Sequence, residues 1–90
     1  MNVKRRKAIE SIIADITRIS EDMETVLDNL EAIKSEEEEY IENFPENLQG
    51  SERYSSAEEA FENLESALDT LQEARDSLDD VTTSLEDASN

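Results

Sequence analysis

Apolar residues advance along the first half of the chain by steps of three and four: Ile9, Ile12, Ile16, Ile19, Met23, Val26, Leu30 and Ile33, continued by Tyr40 and Phe44. Written as heptads, the a positions are 9, 16, 23, 30, 37 and 44, and the d positions are 12, 19, 26, 33 and 40. Ten of these eleven positions are apolar or aromatic, with Glu37 the exception, which is the period of a long α-helix with a coiled-coil-like seam. Ile13, Leu27 and Ile41 at e widen the stripe beyond what one neighbouring helix covers. The pattern predicts a helix over about residues 3–43, roughly 60 Å long at 1.5 Å per residue. Pro45 stops it, because the residue before a proline is driven out of the helical region.

The stretch 43–56 (NFPENLQGSERYSS) holds the only proline and the only glycine of the chain. It reads as a linker over about 44–55, with one helical turn at Pro45–Leu48 closed by Gly50. Ser55 and Ser56 each precede a glutamate by three residues, the capping-box spacing, and Ser51 is an earlier candidate cap. These signals put the start of the second helix between 51 and 56.

From there a seven-residue repeat runs to the end: AFENLES, ALDTLQE, ARDSLDD, VTTSLED and the start of a fifth unit, AS. Each unit opens on a small residue (Ala60, Ala67, Ala74, Val81, Ala88) and carries leucine at its fifth place (Leu64, Leu71, Leu78, Leu85). Phe61, Leu68, Arg75 and Thr82 stand beside the small position. A second amphipathic helix over about 56–87 follows, so the chain is a single domain, 1–90. The expected fold class is all-α: a long antiparallel helical hairpin that dimerises into a four-helix bundle. The seam residues expected to hold core and dimer are Ile9, Ile12, Ile16, Ile19, Met23, Val26, Leu30, Ile33, Leu64, Leu68, Leu71, Leu78 and Leu85. Two helices alone are expected to leave Ile13, Leu27 and Ile41 partly wet, and pairing two hairpins would cover them. Each fully buried aliphatic side chain contributes about 1.5–3 kcal/mol.

Composition narrows the chemistry. The 90 residues carry 25 acids and eight bases, a net charge of −17, with no histidine and no cysteine. There is accordingly no disulfide framework, no thiolate nucleophile, no imidazole base and no Cys- or His-ligated metal site. Paired carboxylates could still catalyse, but only in a concave site that gives them different environments. Acids on the outside of helical rods form no such site, so the sequence predicts no enzyme, no catalytic residue and no cofactor. Ile12-Ile13-Ala14 is too short an apolar run to span a membrane, and Glu10 and Asp15 break any signal-peptide core after Lys4-Arg5-Arg6-Lys7. The expected location is the cytoplasm.

The run Glu36–Glu39 reads as a solvated helix face, since consecutive residues point around the cylinder and do not converge on one ion. Glu37 and Arg75 intrude on apolar stripes; Arg75 can lay its stem along the seam and carry its charge to water. Tyr40, Phe44, Tyr54 and Phe61 gather near the turn as an aromatic lock. Lys4, Arg5, Arg6 and Lys7 hold half the basic charge, while the 83 residues after Lys7 hold all 25 acids and four bases. That balance repels phosphate, so direct nucleic-acid binding is not expected. An antiparallel hairpin instead places the basic cluster near Asp79, Asp80, Glu86 and Asp87 for neutralisation within the chain or between subunits.

The stretch Pro45-Glu46-Asn47-Leu48-Gln49-Gly50-Ser51-Glu52-Arg53-Tyr54, followed by Ala57-Glu58-Glu59-Ala60 and leucine heptads, resembles small acidic helical proteins encoded by Gram-positive bacteria and their phages. The similarity covers roughly residues 36–80. It implies a helical hairpin and a mobile-element origin, and it transfers no functional residue.

Two functions of different class fit these readings. One is an acidic protein-interaction or structural module whose main partner is a second copy of itself. The other is a phage-type inhibitor that mimics nucleic acid and binds a basic host or defence protein. Seventeen net charges along about 60 Å give roughly one per 3.5 Å, near the 3.4 Å phosphate spacing of one DNA strand. Glu36, Glu38, Glu39 and Glu42 are the candidate acidic partner face, expected to lie together beside the turn.

Overall fold

Asn2 opens the first helix by accepting a hydrogen bond from the Arg5 backbone N–H at 2.8 Å, which satisfies one of the free donors at the helix start. The computed structural model describes all 90 residues and runs this helix, α1, from Val3 to Glu42. Asn43 closes it, its backbone N–H donating to the Glu39 carbonyl at 3.0 Å while the Phe44 N–H donates to that of Ile41 at 3.1 Å, and Pro45 takes an extended conformation at φ −57°, ψ 137°. A single 3-10 turn follows at Glu46–Leu48. The second long helix, α2, spans Glu52–Ala88. Its cap is Ser51, whose hydroxyl accepts from the Tyr54 N–H at 3.2 Å. The earlier candidate therefore wins over Ser55 and Ser56, and the linker is shorter than the sequence suggests. Gly50 is not a left-handed cap: its φ is not positive, and a Cβ there would meet nothing within 4 Å.

α1 and α2 pack antiparallel along their length, giving a rod of 70 × 15 × 14 Å. The fold is an all-α helical hairpin.

The seam between the helices is regular. Along α1 and just past its end, the residues most withdrawn from solvent are 9, 13, 16, 20, 23, 27, 30, 34, 37, 41 and 44, which are the a and e rows. On α2 they are 54, 57, 61, 64, 68, 71, 75, 78, 82, 85 and 89, with the same alternation of four and three. Leu27 and Ala57 are the two buried residues, at 9% and 5% exposure.

This overturns one expectation. The e residues Ile13, Leu27 and Ile41 lie inside the hairpin, and the d row is what the hairpin leaves outside. Ile12, Ile19, Val26 and Ile33 are 47–49% exposed, and Tyr40 is 44% exposed. Of the expected seam residues, Ile9, Ile16, Met23, Leu30, Leu64, Leu68, Leu71, Leu78 and Leu85 face the other helix. The reason lies on α2. Its bulky side chains stand on the Leu64 row and the neighbouring Phe61–Leu68 row, whereas the row on the far side of the leucines is alanine. Filling space around Phe61 and Leu68 draws α1 over on its e side.

Candidate functional site

The two faces flanking the seam differ in chemistry, and the contacts across the seam decide which rows share a face. Arg75 Nε donates to Ser20 Oγ at 3.4 Å, and Lys34 Nζ sits 5.6 Å from the centroid of the Phe61 ring. Both contacts join the e row of α1 to the Phe61 row of α2. The a row accordingly runs beside the leucines. Going round a helix of seven residues per two turns, the order of rows is d, a, e, b, f, c, g, about 50° apart. The d row of α1 and the small row of α2 (Ala60, Ala67, Ala74, Val81, Ala88) therefore lie on one side of the rod. The b row of α1 and the Glu58 row of α2 lie on the other.

Charge is segregated accordingly. The b and f rows of α1 supply Glu10, Glu21, Glu24, Asp28, Glu31, Glu38 and Glu42 to the second side. The equivalent rows of α2 supply Glu58, Glu62, Glu65, Asp69, Asp76, Asp79 and Glu86. That makes fourteen carboxylates. The apolar side, counted over the d and g rows and their equivalents, has three acids: Asp15, Asp22 and Glu36. On α2 the row bordering the alanines is Ser56, Asn63, Thr70, Ser77 and Ser84, without a charge in a chain that is 37% charged.

Two seam cations reach out to the acidic side. Arg75, 29% exposed, pairs with Glu24 at 3.2 Å, and Lys34, 22% exposed, stands 4.0 Å from Glu65. Arg75 thus lays its stem on the seam and delivers its charge to the edge, as its place in the pattern suggested. The third ion pair, Arg18–Asp15 at 2.6 Å, is exposed on one helix and contributes little. None of Lys4, Arg5, Arg6 and Lys7 has an acidic partner within 4 Å, so neutralisation of that cluster within the chain is not by direct ion pairs.

The four glutamates of the candidate acidic face divide between two shallow clefts. Glu38 and Glu42 line a shallow cleft on the acidic side with Ile41, Glu58, Phe61, Glu62 and Glu65. Glu36 and Glu39 line a different one, over the turn, with Tyr40, Asn43, Phe44, Pro45, Leu48 and Arg53. The four stand on consecutive rows b, f, c and g, about 150° of the outward surface of α1, so the end nearer α2's acidic rows borders one cleft and the rest borders the other. The continuous acidic surface is the longer one made by both helices, which counting along a single helix does not reveal.

The aromatic lock is smaller than expected. Tyr40 and Phe44 meet edge-on with centroids 5.6 Å apart, and Phe44 and Tyr54 meet at 5.3 Å. Phe61 stands apart, under Lys34. Glu37 occupies the a row where the register brings it level with Ala57, and the small side chain opposite gives its stem room.

No three acidic side chains converge closely enough to hold a metal ion, and no helix is long and apolar enough to cross a membrane. No protein-family model matches the chain, and neither a curated protein nor a solved structure matches it.

Proposed function

We propose that this protein is a non-catalytic helical interaction module that associates with itself through the apolar side of its rod and keeps the acidic side outward. The observation that carries this reading is the unbroken exposed line Ile12, Ile19, Val26 and Ile33. A chain with only two buried residues has little core of its own, and large contiguous apolar surface on a small protein marks an interface. The acidic side then keeps the assembly soluble and excludes polyanions. Sedimentation equilibrium from sub-micromolar to hundred-micromolar concentration tests the reading. The expected result is a concentration-dependent dimer; a monomer throughout overturns it.

One observation favours a second reading, in which the acidic side imitates nucleic acid before a basic groove of another protein. The fourteen carboxylates follow one side of a 70 Å rod. Retention of a basic, nucleic-acid-binding protein on the immobilised chain, released by a salt gradient, supports it. Retention unaffected by salt counts against it.

A further inference from the structure

Resting on the self-association proposed above, we infer that the occupant of the apolar side is a second copy whose two-fold axis runs along the rod, so that both turns lie at the same end and α1 of each copy packs on α2 of the other. The available area is sufficient: a face of 70 by 15 Å offers roughly 1,000 Å² per copy, above the ~800 Å² per partner of a standard stable interface.

The orientation follows from what the two helices present on that side. Rotation about the rod axis keeps every residue at its own height and exchanges the positions of α1 and α2. The d row of one copy then meets the small row of the other. The contacts Ser20–Arg75 and Lys34–Phe61 fix the heights. They bring Ile33 and Ala60, Val26 and Ala67, Ile19 and Ala74, and Ile12 and Val81 within a helical turn of the same level. A branched side chain thus faces an alanine in three of four layers, the large-to-small alternation that fills space at uniform helix spacing.

The bordering rows agree. Asp22 comes level with Thr70 of the other copy, Asn29 with Asn63, and Glu36 with Ser56, each a donor facing an acceptor. None of these six side chains has a hydrogen-bond partner within its own chain, whereas Asp15 and Ser77, the next pair in the series, are engaged with Arg18 and the Glu73 carbonyl.

A two-fold axis across the rod gives none of this. It lays α1 on α1 and brings Asp22 against Asp22 of the other copy at mid-rod. It also stacks isoleucine on isoleucine along one edge and alanine on alanine along the other, which calls for two different helix spacings.

Gly50 offers a clean probe, because the chain has no cysteine and a side chain at Gly50 meets nothing. Gly50→Cys carrying a nitroxide spin label reports the distance between the two turns by pulsed dipolar spectroscopy. The expected interspin distance is less than half the 70 Å rod length. A distance near the full length in a dimer overturns the orientation and leaves self-association standing. No dipolar signal together with monomeric sedimentation overturns both. Val26→Asp in the labelled chain should abolish the dipolar signal and raise the dimer dissociation constant by more than about tenfold while the far-ultraviolet helix signal persists. A dimer indifferent to Val26→Asp overturns the assignment of this face.

Discussion

Arg75 and Ser20, 55 residues apart in sequence, meet across the hairpin with Nε donating to Oγ at 3.4 Å, and the same guanidinium reaches Glu24 at 3.2 Å. This contact ties the e row of α1 to the Phe61 row of α2 and so determines which side of the rod is apolar. Arg75→Ala should cost about 1–2 kcal/mol, combining a charged hydrogen bond with lost packing of the stem. Arg75→Met should recover most of that loss, since the stem contributes packing and a partly buried ion pair is often replaceable by an apolar side chain. Urea denaturation of both variants checks this. Equal losses would mean that the charge, and not the stem, holds the position.

Ile16 and Ile19 are one turn apart and stand in different environments, the first against α2 and the second 49% exposed. Ile16→Asp should unfold the hairpin, because it places a charge inside the only seam the chain has. Ile19→Asp should leave the helix content intact and abolish self-association. Circular dichroism and sedimentation on the two variants separate the outcomes. Loss of helix in both would show that hairpin and dimer form as one cooperative unit.

Leu27 is one of the two buried residues, so its truncation tests the seam itself. Leu27→Ala should destabilise by about 2–3 kcal/mol, at the lower end for a buried leucine because a two-helix seam can close around the gap. Thermal unfolding at fixed protein concentration measures it.

Glu37 holds an a position without a cation partner within 4 Å. Glu37→Leu removes one charge from a chain of net −17 and adds apolar burial, and should stabilise by about 1–2 kcal/mol. A decrease in melting temperature would show that the glutamate is fixed by an interaction outside the single chain.

Repulsion among carboxylates on the acidic side should make stability depend on ionic strength. Raising sodium chloride from about 0.01 M to about 0.5 M shortens the screening length from about 30 Å to under 10 Å, and the melting temperature should rise. Replacing Glu31, Glu38, Glu58 and Glu62 together with glutamine should give a similar gain at low salt and flatten the dependence, with helix propensity nearly unchanged. If the chain binds a basic protein through this side, the same variant should associate more slowly. Unchanged association with such a target would exclude this side as the binding surface.

Periodicity alone determined that this chain forms two long helices and where they end. Apolar steps of three and four from Ile9 to Phe44, Pro45, and the leucine repeat from Ala60 are local signals, and α1 at Val3–Glu42 and α2 at Glu52–Ala88 obey them. Which rows meet was not legible in either helix by itself. The d row of α1 is the more uniformly apolar, so counting favours an a/d seam, yet the hairpin closes on a and e. The decision belongs to the pair: Phe61 and Leu68 on α2 need filling, Ser20 and Lys34 on the e row meet Arg75 and Phe61 without penalty, and the mostly alanine row opposite fills less space within the hairpin. The same pairing divided Glu36, Glu38, Glu39 and Glu42 between two clefts and gathered fourteen carboxylates from both helices onto one side. A heptad fixes the angle of each residue about its own helix axis; only the packing of one helix on the other fixes where that angle points.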